Sequence, residues 1–159
     1  MKKIFSLAII VLSIFIISGC TKEEENFETK TVECSLNRND AINNYSLESS
    51  YKIYYNDDIV SKVETVEKVT SDNQDIITTF ENTFNNTYSK MNETYGGYTY
   101  DVDKTENDVT STVEIDYTKL DLEKLYNDEP TMKNIMNEDK KILLDELKAT
   151  YEAMGATCN

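Results

Sequence analysis

Residues 71–97 read SDNQDIITTFENTFNNTYSKMNETYGG, and this stretch decides how the rest of the chain is organised. Its apolar side chains recur every three or four residues in a single stripe: Ile77, Phe80, Phe84, Tyr88, Met91 and Tyr95. That spacing predicts an amphipathic helix over residues 71–95. An aromatic stripe can line a ligand groove, but facing the protein core is the commoner use of such a stripe, and we expect it here.

The ends of this helix also have sequence signals. Ser71 followed three residues later by Gln74 is typical of a capping box, which predicts that Ser71 is the N-cap. Gly96 and Gly97 predict the end of the helix, because glycine adopts the left-handed backbone angle beyond a helix at little cost.

The segment before the helix alternates with a period of two, which is typical of half-buried strands. Residues 45–55 form one such strand, and the turn-forming residues 56–58 lead into a return strand over residues 59–69. Val63 is an expected inward residue of the return strand. The alternation breaks near Val66, which predicts a β-bulge or a change of face there. A weaker first strand covers residues 31–36.

After the helix, the pattern predicts a hairpin with strands at residues 98–102 and 109–117. A short helical segment follows at residues 120–126, then a final helix from about residue 142 to 154 and an edge strand at residues 156–158. The order is βββ-α-ββ-α-α-β. Tight turns between successive strands indicate antiparallel pairing, so the predicted class is α+β, an antiparallel sheet with helices packed on one face.

The N-terminus, MKKIFSLAIIVLSIFIISGC, is typical of an export signal. Two lysines precede an almost unbroken apolar stretch that is short compared with the roughly 20 residues of a membrane-spanning helix. Residues 17–20, Ile-Ser-Gly-Cys, resemble a bacterial lipobox. We expect a lipoprotein signal peptide at residues 1–19 and a diacylglycerol on Cys20 that anchors the protein to the extracytoplasmic face of the cell membrane. The alternatives are an ordinary signal or an uncleaved short anchor.

The acidic, aperiodic residues after Cys20 predict a flexible tether over residues 20–30, followed by a single globular domain over residues 31–159. With Cys20 used for the lipid, Cys34 and Cys158 remain, an even number in an exported protein. We expect them to form a disulfide. Two buried free thiols and a redox pair are the alternatives, although a redox pair usually has a C-x-x-C spacing.

The composition excludes several functions. A formal net charge of −14 disfavours nucleic acid, whose phosphates bind lysine and arginine. The same charge holds the domain away from anionic lipid. Because the chain contains no histidine, it has no Ser-His or Cys-His nucleophile pair and no histidine metal ligand. We predict no cofactor, no resident metal and no catalytic residues.

Several short motifs occur in an order that resembles the YehR-like bacterial lipoproteins, a family without established activity. They are the lipobox with its acidic tether, Tyr-Asn-Asp-Asp at 55–58, Tyr-Gly-Gly at 95–97, Val-Glu-Ile-Asp-Tyr at 113–117, Leu-Asp-Leu-Glu-Lys-Leu at 120–125 and Met-Gly-Ala at 154–156. The resemblance covers most of the chain after Cys20 and implies an α+β fold of sheet and helices. It supplies no catalytic residues.

Two acidic motifs are candidates for chemistry. Residues 101–107, Asp-Val-Asp-Lys-Thr-Glu-Asn, open like a calcium loop, but an EF-hand requires glycine at the sixth position and glutamate at the twelfth. Glu106 and Thr112 occupy those positions, so we expect an acidic hairpin turn, with weak calcium binding as the alternative. Glu114 and Asp116 share one face of a strand, which permits acid-base chemistry, but such a polar face normally meets solvent.

Tyrosines recur along the predicted strands at positions 51, 54, 55, 98, 100 and 117. If Tyr51 faces the core, Tyr54 faces outward, and an exposed tyrosine patch would suit recognition of a peptide or glycan. The sequence therefore favours a non-catalytic, membrane-anchored domain that binds or scaffolds an unknown protein, peptide or glycan. The alternative is a module that binds a small molecule or cation in a pocket between sheet and helices.

Overall fold

The computed structural model describes residues 29–159. It contains six β-strands, three α-helices and one 3₁₀ helix. Their bounds are β1 Lys30–Asp40, β2 Tyr45–Asn56, β3 Ile59–Thr70, α1 Gln74–Tyr95, β4 Tyr98–Lys104, β5 Asp108–Asp116, α2 Leu122–Asp128, the 3₁₀ helix Pro130–Asn134, α3 Leu144–Ala153 and β6 Thr157–Cys158. The predicted order of elements is therefore confirmed.

All six strands form one antiparallel sheet in the order β4-β5-β3-β2-β1-β6. Tight turns join β1 to β2, β2 to β3 and β4 to β5, while α1 carries the chain from β3 to the far edge of the sheet. Helix α1 lies over β3, β4 and β5, and α3 contacts β6 at the opposite edge. The predicted α+β class is confirmed. We name the two sides of the sheet the helix-covered face and the open face.

The β-bulge lies at a different place from the predicted one. The register of β2 and β3 shifts between Tyr54 and Tyr55, where Tyr54 pairs with Lys62 and Tyr55 with Val60. Beyond this shift β3 keeps its period of two, so Val66 points to the open face and is 40% exposed. The prediction of a bulge near Val66 was wrong, because Val66 is an apolar residue on the outward side of an unbroken alternation.

The N-cap of α1 also differs from the predicted one. Asn73 is the cap, and its side-chain oxygen accepts a hydrogen bond from the backbone N–H of Asp75 at 2.9 Å. Ser71 is buried below the helix, where its hydroxyl donates to the Asn44 carbonyl at 2.6 Å and accepts from the Asn73 N–H at 3.1 Å. Ser71 therefore holds the β3–α1 junction, and the capping-box prediction was wrong.

Replacing Asn73 with alanine is expected to lower the free energy of unfolding by about 1 kcal/mol, because one of the free N–H groups at the start of α1 loses its acceptor. Urea titration followed by far-UV circular dichroism measures the change. Asp72→Ala, an exposed neighbour, is the matched control and is expected to stay within about 0.5 kcal/mol of the parent. Equal losses in both variants would contradict the assignment of the cap.

The end of α1 lies where the sequence predicts it. Gly96 is the C-cap with φ 69°, and its N–H donates to the Asn92 carbonyl at 2.9 Å. Gly97 has φ 74°, and its carbonyl accepts from the Asp116 N–H at 2.9 Å. The two glycines thus turn the chain from α1 directly into β4, beside the end of β5.

The final helix is shorter than predicted. Helix α3 begins at Leu144, while Ile142 forms a bridge with Met136 and Leu143 forms one with Ile59. Ile142 is 1% exposed. The apolar residues at helical spacing therefore belong to two elements. Ile142 and Leu143 form an extended segment that packs against the end of the sheet, and α3 follows this segment.

The predicted pair of cysteines is joined. Cys34 on β1 and Cys158 on β6 lie directly opposite each other in the sheet, with an S–S distance of 1.99 Å. The predicted signal peptide, Cys20 and almost all of the predicted tether lie outside the described residues. Within residues 29–159, no helix has both the length and the apolar character needed to span a bilayer.

The apolar interior is divided into two clusters. The smaller cluster lies under the first part of α1 and consists of Val69, Ile77, Phe84 and Val109. The larger one lies towards the other end of the sheet and extends to α2 and α3, with Ile53, Val63, Leu125 and Leu147 among its members. Polar side chains occupy the sheet between the two clusters.

Candidate functional site

A polar row crosses the helix-covered face between the two apolar clusters. Ser49 on β2, Glu67 on β3 and Ser111 on β5 are directly opposite one another in the sheet register. Ser49 and Ser111 are buried, with exposures of 4% and 0%, and Glu67 is half-buried. A row in the middle of a helix-covered face is where a sheet normally carries apolar side chains, so these three residues need an explanation.

Glu67 is held by hydroxyl groups. The Tyr88 hydroxyl on α1 donates to Glu67 Oε2 at 2.5 Å, and the Ser111 hydroxyl lies 3.4 Å from the same oxygen. None of the ion pairs found within residues 29–159 involves Glu67. The Arg38 guanidinium donates instead to the Met154 carbonyl at 3.2 Å. The carboxylate is therefore oriented by neutral donors and is not neutralised by a cation of the described chain.

Two pairs of aromatic rings lie near this carboxylate. The Tyr51 ring on β2 stacks on the Tyr151 ring of α3, with centroids 4.2 Å apart. In the second pair, the Tyr88 ring lies 5.9 Å from the Tyr100 ring. Tyr88 belongs to α1 and Tyr151 to α3, so the carboxylate lies where the two helices approach the same part of the sheet.

The tyrosines remain protonated at neutral pH. Burial raises the pKa of the Tyr88 hydroxyl far above its usual range, and the adjacent Glu67 carboxylate raises it further. Burial raises the pKa of Tyr151 in the same way, with smaller contributions from Tyr51 and Glu67. These hydroxyls act as hydrogen-bond donors, because an anionic phenolate beside Glu67 would be repelled.

Ser49 contributes a polar atom without a partner. Its Oγ is buried and makes no hydrogen bond of good geometry within the described residues, although burial raises the pKa of the Tyr51 hydroxyl and Ser49 Oγ lies close enough to that group to lower it in part. A buried hydroxyl left unsatisfied costs about 1–3 kcal/mol, so such an atom usually has a role or a missing partner. We call Ser49, Glu67, Tyr88 and Ser111, with the rings of Tyr51 and Tyr151, the Glu67 cluster.

The acidic pair predicted from the sequence lies on the open face and is neutralised there. Lys62 Nζ lies 3.1 Å from a carboxylate oxygen of Glu114 and 2.7 Å from one of Glu64. Asp116 contacts Lys119 at 2.6 Å, and the Lys119 ammonium and the Thr118 hydroxyl hold the pKa of Asp116 below its usual value. Glu114 and Asp116 thus form ion pairs with two different lysines, Lys62 and Lys119, at the sheet surface.

The acidic stretch at residues 101–108 forms the end of the β4–β5 hairpin. Lys104 forms an ion pair with Glu81 of α1, and the Thr105 N–H donates to the Asp108 carbonyl at 2.8 Å. Within the part of the chain that the structure describes, no group of three or more acidic or cysteine side chains is arranged to hold a metal ion. The arrangement is that of an acidic turn tied to α1.

The tyrosines on the strands divide as the alternation predicts. Tyr51, Tyr98 and Tyr117 lie against the larger apolar cluster, and burial raises the pKa of Tyr98 to about 12. Tyr54 points to the open face, where its hydroxyl donates to Glu64 at 2.8 Å and Lys62 Nζ lies 4.3 Å from its ring centre. Tyr54 therefore belongs to an ion-pair network rather than to an aromatic patch.

The open face also carries a shallow groove of about 340 Å³. It crosses β1, β2 and β3 next to Asn159 and is lined by Glu33, Cys34, Ser35, Ser50, Tyr51, Lys52, Glu64, Val66 and Asn159. Its lining is mostly small or charged. Unlike the Glu67 cluster, this groove does not bring buried polar side chains together at one point.

The arrangement of elements is found in solved structures. The NMR structure of the YehR protein of E. coli matches with a TM-score of 0.54 at 16% sequence identity, covering 84% of this chain and 92% of that one. This chain has a YehR-like fold. The NMR structure of a protein from Streptococcus pneumoniae TIGR4 matches at 16% identity with a TM-score of 0.49, covering 100% of this chain and 96% of that one. The sequence matches no protein-family model and no curated protein.

The YehR-like fold agrees with the resemblance seen in the short sequence motifs. At 16% identity the likeness concerns the fold alone, and the lipid anchor and the binding activity stay predictions. The chemistry of the YehR-like domain must therefore be argued from its own side chains.

Sequence reasoning missed the Glu67 cluster. The signal was present in β3, where a period of two from Val63 places Thr65, Glu67 and Val69 on the inward side. The predicted break in the alternation near Val66 left the side of the strand on which Glu67 lies unassigned. In the YehR-like fold of this chain, Glu67 is instead an acceptor group at the junction of sheet, α1 and α3, suited to bind a donor.

Proposed function

We propose that the protein is a lipid-anchored extracytoplasmic binding protein, and that its ligand contacts the Glu67 cluster. The observation that carries this proposal is the half-buried Glu67 carboxylate, which two hydroxyls orient and no cation of residues 29–159 neutralises. Partly burying a carboxylate without an ion partner costs stability. Proteins commonly tolerate that cost at sites that bind a ligand.

Binding suits this cluster better than catalysis. The chain has no histidine, and the tyrosines at the cluster are protonated donors rather than bases at neutral pH. Glu67 is a single carboxylate, so it has no second acid to form a general acid-base pair. What remains is an oriented acceptor with aromatic walls, an arrangement typical of a recognition site.

The lipid anchor is supported by the N-terminal sequence. A short apolar segment after two lysines, followed by Ile-Ser-Gly-Cys at residues 17–20, agrees with export and modification of Cys20. Two acyl chains suffice for stable anchoring, since one chain alone binds only marginally. The acidic segment after Cys20 then acts as a spacer that holds the domain away from the membrane surface.

Replacing Cys20 with alanine is expected to prevent lipid modification of the protein and to reduce its amount in the membrane fraction. Metabolic labelling with a radioactive fatty acid and cell fractionation measure both effects. Thr21→Ala, at the next position, is the matched control and is expected to stay labelled and membrane-bound. Fatty-acid labelling that persists in Cys20→Ala would overturn the anchor.

The binding proposal is tested on the ¹⁵N-labelled full-length Cys20→Ala chain in zwitterionic detergent. Butylammonium, butyrate and butan-1-ol serve as probes because they share an alkyl chain and differ in charge. At least one probe is expected to cause saturable amide shifts centred on Ser49, Glu67 and Ser111. If all three probes leave those signals unmoved, the Glu67 cluster is not a binding site.

A further inference from the structure

We propose that the Glu67 cluster binds a primary alkylammonium group, an inference that rests on the binding role proposed above and names its ligand class. The cluster presents an acceptor carboxylate, a buried hydroxyl without a partner and aromatic rings within one small region. Each of these three features matches a different part of an alkylammonium ion.

The charge of the ligand follows from Glu67. Tyr88 and Ser111 both contact Oε2, and no hydrogen bond or ion pair within the described residues reaches Oε1. A bound cation would supply the countercharge that these neutral donors do not provide. A charge-assisted hydrogen bond in a half-buried site is also about twice as strong as a neutral one.

Ser49 indicates that the ligand carries more than one N–H donor. Ser49 and Glu67 are directly opposite in the register of β2 and β3, a position that brings Cβ atoms to within about 5 Å of each other. A single ammonium nitrogen has three N–H donors, so it can bond Glu67 Oε1 and the unpartnered Ser49 Oγ together. A quaternary ammonium has no N–H and would leave Ser49 Oγ unsatisfied.

The alkyl part of the ligand follows from the tyrosines. The rings of Tyr51 and Tyr151 stack with centroids 4.2 Å apart, and the ring of Tyr88, whose hydroxyl bonds Glu67, lies 5.9 Å from that of Tyr100. Ring faces attract an ammonium group and also pack against methylene groups. The strongly acidic chain, with a net charge of −14, further raises the local concentration of cations.

The same chemistry has two sources, a free alkylamine or the side chain of a lysine in a protein. Both sources carry the same primary ammonium group on an alkyl chain. Comparing butylammonium with Nα-acetyl-lysine methylamide distinguishes them. Tighter binding of the lysine derivative assigns the site to a protein lysine, and equal or weaker binding assigns it to a free amine.

The test uses the full-length Cys20→Ala chain in zwitterionic detergent and follows the amide signals of Ser49, Glu67 and Ser111. Butylammonium is expected to bind at least about tenfold more tightly than tetramethylammonium, butyrate or butan-1-ol. Binding of butyrate or butan-1-ol in preference to butylammonium would leave the site in place and overturn its assignment to ammonium. Equal binding of tetramethylammonium would also overturn it.

Variants test whether Glu67 is the residue that contacts the ammonium group. Glu67→Gln keeps the shape of the side chain and removes its charge, and it is expected to weaken butylammonium binding by about tenfold or more. Glu48→Gln makes the same change on the exposed open face, one residue from Ser49, and is expected to leave binding within about twofold. Ser49→Ala is expected to reduce the preference for butylammonium over tetramethylammonium. Retention of full butylammonium affinity by Glu67→Gln, with dispersed amide signals showing that it is folded, overturns the inference.

Discussion

Replacing Cys34 and Cys158 together with alanine is expected to lower the free energy of unfolding by about 4–5 kcal/mol. The bond joins residues 124 positions apart, so its loss frees almost the whole domain in the unfolded state. In the chain-entropy model a loop of this length gives a stabilisation near the upper end of the usual range. This is a large part of the 5–15 kcal/mol typical of a whole domain.

The same substitution is expected to loosen the C-terminus first. Strand β6 has only two residues and pairs with β1 through Cys34 and Ser35. Without the bond, this strand is held by its short pairing with β1, by contacts with α3 and by the Asn159 N–H, which donates to the Glu33 carbonyl at 2.9 Å. Hydrogen exchange is therefore expected to rise in residues 157–159 before it rises in β2 and β3.

Guanidinium unfolding of the double variant, compared with the oxidised parent, measures the loss. Thr157→Ala is the matched control, because it changes the neighbouring residue of β6 and leaves the disulfide intact. It is expected to stay within about 1 kcal/mol of the parent. A double variant as stable as this control would show that the bond contributes little to the fold.

Replacing Gly97 with alanine is expected to lower the free energy of unfolding by about 2–5 kcal/mol. At φ 74° an alanine is strained by roughly 1–2 kcal/mol. Its added Cβ would also overlap Leu120 Cδ1 and would lie 2.8 Å from the Asp116 carbonyl oxygen. Relieving such overpacking typically costs a further 1–3 kcal/mol.

A double-mutant cycle with Leu120→Ala separates the two causes. The single change at Leu120 is itself destabilising because that side chain is 8% exposed in the larger cluster. In its background, Gly97→Ala is expected to cost at least about 1 kcal/mol less, since the closest contact is gone. Additive losses, measured by urea unfolding, would show that the contact with Leu120 does not contribute, and that backbone strain and the contact with the Asp116 carbonyl account for the role of Gly97.

Local patterns predicted most of the secondary structure. The apolar stripe from Ile77 to Tyr95 predicted α1. Gly96 predicted its C-terminal end, because a positive φ favours glycine in any context. The period of two in residues 45–55 placed Tyr51 and Ile53 inward and Tyr54 outward, as the sheet confirms. These features depend on neighbours within a few positions, so sequence spacing alone contains them.

Features that depend on distant contacts were missed. The N-cap of α1 is Asn73 rather than Ser71, because the Ser71 hydroxyl donates to the carbonyl of Asn44 in the β1–β2 turn. The inward position of Glu67 became clear only when its partners were known, since Tyr88 is 21 residues away and Ser111 is 44 residues away. A charged residue on a strand is normally assigned to solvent, and only helix α1 above it shows otherwise.

The sequence by itself determined the α+β class, the order of the elements, the C-terminal end of the long helix and the pair of cysteines available for a disulfide. Each of these follows from short-range periodicity, glycine conformation or the count of a residue type. The tertiary structure alone decided that Ser49, Glu67, Tyr88 and Ser111 meet between two apolar clusters. The physical reason is that strand register and helix packing join residues far apart in the chain, and a binding site consists of such long-range contacts.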